Sequence, residues 1–170
     1  KTRMSWDPQQ YGRFAGQRLR PALDLIARIP IENPQTVVDL GCGTGNVTRI
    51  LRERWPRASI TGIDGSPQML AEARKLEVGL AWEHCELAAW TPPAKFDLVF
   101  SNAALHWLDG HPALFARLCR NVAAGGVLAV QMPRNFGAPS HTLMHELAAS
   151  PPWCEALADL LRPQPVLAPE

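Results

Sequence analysis

The chain carries almost no net charge. Its 17 Lys and Arg residues oppose 16 Asp and Glu, for a formal +1 at neutral pH, and the signs are interspersed. No basic run or stripe is present to track a phosphate backbone or an anionic surface, so neither nucleic acid nor membrane is expected as a partner. Long apolar runs are also missing. The longest are strand-sized, too short for a bilayer-spanning helix. The polar start, with Trp6, Asp7 and Pro8 early, lacks the pattern of a secretory leader. Cysteine is sparse: Cys42, Cys85, Cys119 and Cys154 lie far apart, without C-x-x-C and without histidine at zinc spacing. That argues against a disulfide framework and a zinc site, and no metal is expected. Isolated thiols suit the reducing cytoplasm. No nucleophile–base pair stands out, and no internal repeat.

What is there is an ordinary globular composition, 46% apolar and 19% charged over 170 residues. That is enough chain for one domain with a proper core. Apolar strand-like runs alternate with helical patterns, which predicts an α/β fold with a mostly parallel sheet and helices on both faces. Strands are expected at Thr36–Leu40, Ser59–Asp64, Leu80–Cys85, Phe96–Ser101 and Val127–Met132. Helices are expected at Thr44–Arg54, from Pro67 to about Leu76, at His111–Asn121, Thr142–Ala149 and Trp153–Leu161. Leu19, Leu23 and Ile26 have helical spacing, but Pro21 interrupts them, so two short helices are predicted between Pro8 and Arg28. Ala123 to Gly126 is predicted to turn the chain. Ser66 before Pro67 is a helix N-cap.

Residues 37–45, VVDLGCGTG, are the most informative stretch. A strand buried on both faces runs into glycines at 41, 43 and 45, where the backbone can turn tightly and approach a ligand. A helix and a second strand follow, and Asp64 closes that strand. This is the layout of a nucleoside-binding βαβ unit, with Asp64 able to accept both ribose hydroxyls. A dinucleotide loop is spaced G-x-G-x-x-G and faces a pyrophosphate. Here the third glycine comes one residue early, and Asp39 stands two residues before the first. An anion repels a pyrophosphate and attracts a cation. The ligand that fits is a phosphate-free nucleoside with positive groups, and S-adenosylmethionine meets both conditions. Asp39 with nearby carbonyls then suits its ammonium; the alternative is that Asp39 caps the loop's own amides. Cys42 reads as a small side chain tucked under the loop rather than a nucleophile.

VVDLGCGTG resembles the first motif of class I S-adenosylmethionine-dependent methyltransferases. MSWDPQQYGRF at 4–14, RLRPALDLIARIP at 18–30, ITGIDGSPQMLAEAR at 60–74, FDLVFSNAALHWLDGH at 96–111 and GGVLAVQMPRN at 125–135 are together similar to the trans-aconitate methyltransferase family. The resemblance implies a Rossmann-like methyltransferase that esterifies a small polycarboxylate and leaves S-adenosylhomocysteine. Other small acids, quinone or lipid-like precursors, and a non-catalytic cofactor-binding module remain open. It implies one domain over 1–170: a helical lid at 1–33, a cofactor-binding core at 34–135 and an acceptor-side segment at 136–170. The family's closing antiparallel hairpin has no counterpart in the sequence, so that last segment is expected to be incomplete. No obligatory protein partner is evident.

The cofactor set is then Asp39, Gly41, Cys42, Gly43, Gly45, Asp64, Gly65, Met69, Glu86, Leu87, Ser101 and Asn102. The resemblance implies that an acid at Glu86 accepts the adenine amino group, where Asp is more usual. Leu87 and Trp90 suit an adenine wall. Met69 suits either an adenine face or the core. SNAALHW implies a cofactor contact at Ser101 or Asn102 and directs His106 and Trp107 toward the transferred methyl. Trp6, Tyr11, Phe14, Arg18 and Arg20 combine rings with guanidinium groups, as a cover over a polycarboxylate would. The alternatives are that Arg18 and Arg20 are solvated helix residues or that one of them binds the cofactor's own carboxylate; Arg134 is a weaker candidate for the acceptor. A carboxylate acceptor is already ionised at neutral pH, with a pKa near ~4, so no general base is required.

Overall fold

In a computed structural model, residues 15–76, 79–158 and 166 are described; for 15–18 only the backbone is. Trp6, Tyr11 and Phe14 lie outside the described residues, as does the Arg18 side chain. Five strands form one sheet: β1 (Thr36–Leu40), β2 (Ser59–Asp64), β3 (Ala81–His84), β4 (Phe96–Asn102) and β5 (Val122–Gln131). All pairings are parallel, in the order β3-β2-β1-β4-β5. The helices are α1 (Ala15–Ala27), α2 (Asn46–Arg54), α3 (Pro67–Ala73), α4 (His111–Arg120), α5 (Pro139–Ala148) and α6 (Cys154–Leu157), with a 3-10 turn at Leu105–Trp107. Ser66 caps α3 as its sequence suggests, its hydroxyl accepting the Met69 amide at 3.3 Å.

The pleat sorts the central strands into two cores. Val37, Leu98 and Phe100 pack with Ile26, Leu51, Trp55 and Ile60 on one face. Val38, Leu40 and Val99 pack with Leu105, Leu114 and Leu118 on the other. Alternate residues point to opposite sides, so Asp39 shares the first face with Val37. The chain order reverses at the β1–β4 pair, after β1 has first been flanked by β2. Open parallel sheets bind ligands beyond the carboxyl ends of the strands at such a switch point.

Two sequence expectations are corrected. Helix α1 runs unbroken through Pro21. The packing of Ala22 and Ile26 against the core outweighs the one backbone bond that proline removes. Residues 123–126 do not leave the sheet. They bulge within β5, where the register jumps from Phe96–Val122 to Leu98–Val127 and Gly125 takes φ +76°. At Gly126 a Cβ would sit 2.7 Å from the Asp97 carbonyl oxygen, so the strands approach too closely there for a side chain. Elsewhere the differences are at element ends. Helix α2 starts at Asn46 because Gly45 is left-handed, and β3 and α3 are shorter than predicted.

No described helix is long and apolar enough to cross a membrane. Helix α5 buries none of its residues, and Leu143, Met144 and Leu147 are exposed on it.

Candidate functional site

A cleft opens at the switch point. It is walled by the loop after β1 (Asp39, Gly41, Cys42, Gly43, Thr44), the start of α2 (Asn46, Val47), the end of β4 (Asn102, Ala103) and Leu19 of α1. Asp39 is its acid. The carboxyl is buried, 2% exposed, and Oδ2 accepts the Thr48 hydroxyl at 2.6 Å. The loop amides turn elsewhere. Those of Gly41 and Cys42 donate to the Ile63 carbonyl at 2.8 and 3.0 Å, and that of Gly43 to Asp64. Asp39 therefore does not cap its own loop. Burial lifts its pKa from 3.8 to about 7; the Thr48 hydrogen bond acts downward and Asp64 adds an upward push.

Asn102 supplies the second polar feature. Its Oδ1 is buried and accepts no hydrogen bond from the described residues. A buried acceptor with no donor is costly, and a ligand that donates to it relieves that cost. Next to it Ala103 is left-handed at φ +52°, a strained conformation for a residue with a Cβ, held by its amide to the Gln131 carbonyl at 2.9 Å. A buried anion and an unfilled acceptor make this cleft suited to a cation with N–H donors.

The three loop glycines do different jobs. All are left-handed. A Cβ on Gly41 would collide with Ala104, and one on Gly45 would come within 2.5 Å of the Trp82 ring. At Gly43 a Cβ would meet nothing within 4 Å. Gly41 and Gly45 are thus needed for packing. Gly43 leaves open space toward the cleft. Gly45, expected beside the ligand, has its α-carbon turned to Trp82, which also covers Gly62.

Asp64 lies next to the cleft and is tied to it. Oδ2 accepts the Gly43 amide and Oδ1 the Ser66 amide, each at 2.8 Å. It so joins the glycine loop to the turn before α3. A carboxylate has about four lone-pair sites, so two remain for hydroxyl donors. The series continues outward: a Cβ on Gly65 would lie 2.9 Å from Glu86 Oε2, and one on Gly41 would lie 3.5 Å from Leu87. Asp64, Gly65, Glu86 and Leu87 therefore form one surface contiguous with the cleft.

The remaining expected residues have other surroundings. The Ser101 hydroxyl is fully buried and donates to the Leu40 carbonyl at 2.8 Å, bracing β4 on β1. Of the pair Ser101 and Asn102, only Asn102 reaches the cleft. Cys42 is buried, and burial together with Asp39 and Asp64 pushes its thiol pKa far up, which keeps it inert. Met69 is buried in α3, and Trp90 is core, its ring 6.0 Å from that of Phe96. His106 is buried in the 3-10 turn, its ring centroid 4.7 Å from that of a half-exposed Trp107 and tilted by 41°; neither lines the cleft. Arg20 and Arg134 are exposed.

The match to a family described as methyltransferase domain covers residues 37–126, from β1 to the β5 bulge. The chain belongs to that family. This methyltransferase domain is 49% identical over 154 residues to the trans-aconitate 2-methyltransferase of Azoarcus sp. (strain BH72), covering 91% of this chain and 60% of the relative. It is 52% identical over 153 residues to the enzyme of the same name from Methylobacterium nodulans, covering 90% and 59%. Among solved structures, an S-adenosylmethionine-dependent methyltransferase from Mesorhizobium loti superposes with TM-score 0.62 at 31% identity, over 72% of this chain and 57% of that one. The methyltransferase domain thus spans about 60% of the length of the curated relatives it matches.

Sequence reasoning missed Thr48, Trp82, Leu19, Asn46, Val47 and Ala103. For Trp82 a signal existed in Gly45 and Gly62, two small residues that make room for one ring. For Thr48 there was none, since its partner is nine positions away on another element.

Arg117 is a further residue with no sequence signal. Its guanidinium donates to the carbonyls of Leu87 (3.0 Å), Ala88 (2.7 Å) and Trp90 (3.2 Å), so α4 holds the loop that carries Glu86. Arg117→Met keeps the stem and removes the donors. It is expected to cost about 1–3 kcal/mol of stability in chemical denaturation and to speed amide exchange at residues 86–90.

Proposed function

We propose that this domain is the cofactor-binding part of an S-adenosylmethionine-dependent O-methyltransferase that forms a methyl ester on a small polycarboxylate, trans-aconitate first. The observation that carries it is the buried Asp39 beside the unfilled Asn102 acceptor, which together fit a ligand ammonium. The names of the two relatives at 49% and 52% identity support the acceptor.

When bound, S-adenosylmethionine supplies a methyl group already activated by its sulfonium. The protein has to align and shield rather than provide covalent help. The Asp39 carboxylate and Asn102 Oδ1 would hold the cofactor's ammonium. Gly43 lets the ligand lie against bare backbone. Asp64 uses its remaining lone pairs for the ribose hydroxyls, Glu86 takes the adenine amino group and Leu87 its face. The resemblance assigns acceptor recognition to the rings and guanidinium groups of Trp6, Tyr11, Phe14, Arg18 and Arg20, whose chemistry suits a polycarboxylate. No proton needs removing from an ionised acid, so His106 is not asked to act as a base. The separate, unpaired cysteines favour the cytoplasm.

The test is full-length protein with labelled methyl donor and a panel of di- and tricarboxylic acids. Label is expected in an alkali-labile ester, fastest with trans-aconitate. Label only in alkali-stable products, or none at all, rejects the carboxylate reading.

A further inference from the structure

Thr48 is fully buried in α2, on the face that carries Leu51 into the core. Valine would fill such a site equally well. A helical threonine commonly turns its hydroxyl back to the carbonyl four residues earlier. Here it points across to β1 and donates to Asp39 Oδ2 at 2.6 Å. Among the described residues no other group donates to that carboxyl. The bond fixes the rotation of a carboxyl that lines the cleft by holding Oδ2 toward α2.

We propose that Thr48 is a positioning residue for cofactor binding: its hydroxyl aims Asp39 at the ligand ammonium and keeps it ionised there. This rests on Asp39 being the ammonium acceptor. Position and charge state are linked by one hydrogen bond. A hydroxyl donating to a carboxylate favours the charged form, against the burial that disfavours it. Around Asp39 the other walls offer no such help. Asp64, beyond the loop, repels it. Cys42 is a thiol held protonated by burial, with Asp39 and Asp64 adding to the effect. Leu19 of α1, Val47 of α2, and Asn102 and Ala103 after β4 carry no charge. Among the described side chains no cation faces it, so Thr48 alone offsets its desolvation until ligand arrives.

The sign of the pH effect follows. Asp39 in the empty site titrates at about 7, while an ammonium binds only the carboxylate. Affinity therefore falls as pH drops through 7. Removing the hydroxyl moves that fall to higher pH. Calorimetry with S-adenosylhomocysteine on full-length protein, from about pH 6 to 9, reads this directly. Thr48→Val is expected to move the midpoint of the pH profile up by about one unit, which weakens binding about fivefold at neutral pH and nearly tenfold at about pH 6. Thr48→Ser restores both, because the hydroxyl is what matters. The ligand's own titration is common to all variants and cancels.

A merely structural Thr48 gives a different pattern: Val and Ser variants alter the melting temperature but keep the parent's pH midpoint. That result overturns the inference, as does a Ser variant that behaves like Val. Should Thr48→Val not fold, Thr48→Ala at reduced temperature gives the same comparison. Asp39→Asn separates the two claims. If it binds as tightly as the parent, the ammonium reading fails and Thr48 loses its role with it. If it binds weakly while Thr48→Val matches the parent, only the Thr48 inference fails.

Discussion

Asp39→Asn is expected to weaken S-adenosylhomocysteine binding about a hundredfold and at the same time to raise the melting temperature above neutral pH. The binding loss follows from removing one member of a buried charge pair, which commonly costs several kcal/mol. The stability gain follows from linkage. Asp39 titrates near 3.8 when exposed in the unfolded chain and at about 7 in the fold. Between those values the folded state holds a proton that the unfolded state does not, so stability falls as pH rises through this window. Full stability is present below the lower value and is lost by the time pH passes 7. Asn carries no charge and is exempt. Its thermal advantage over the parent is expected to grow from about pH 4 to pH 7 and to level off above. Melting curves across that range check it, alongside calorimetry. A variant that loses stability at neutral pH as well as affinity would show that Asp39 supports the fold rather than the ligand.

The second large effect separates glycines that look alike in the sequence. Gly45→Ala is expected to cost about 3–5 kcal/mol of stability. Part is the left-handed backbone, at φ +79°, and part is overlap with the Trp82 ring. For a chain of this size that lowers the melting temperature by roughly 10 °C. Gly43→Ala meets only the first of these, because nothing lies within 4 Å of its Cβ. Its stability cost is expected to be about 1–2 kcal/mol. Its main effect is on the ligand, whose space the methyl occupies, and S-adenosylhomocysteine affinity should fall at least tenfold in calorimetry. The pair is the check: one variant mainly unfolds and the other mainly fails to bind. If Gly43→Ala binds normally, the ligand does not lie where Asp39 and Asn102 point.

The two substitutions share a cause. The cleft is assembled by close backbone approach, and the parts that hold it are not the parts that face it. Gly45, Ser101 and Trp82 bring loop, helix and strands together, as does Gly41, the exception that also lines the cleft. Asp39, Gly43 and Asn102 are left at the surface thus formed. Asp64 does both, since its carboxylate already holds two amides before any hydroxyl reaches it. Its place at the end of β2 gives the ribose role but not this bracing of the loop.

Much of this was legible along the chain because it is local. Apolar runs of strand length, glycines after the first, an acid closing the second and a capped helix after it each depend on neighbours within a few residues. So the parallel α/β architecture, the family and the charge sign of the ligand follow from sequence alone. Tertiary structure decided what depends on partners far apart in the chain. Pro21 sits in an unbroken helix because α1 is pressed on the core. Residues 123–126 bulge rather than turn because β5 must remain paired with β4. Ser101 and Asn102 are adjacent, yet the pleat sends one hydroxyl into the sheet and leaves the next amide at the cleft. Whether a given glycine serves packing or ligand, and which hydroxyl aims Asp39, depends on which side chains other elements bring to that point, and no periodicity in the chain records it.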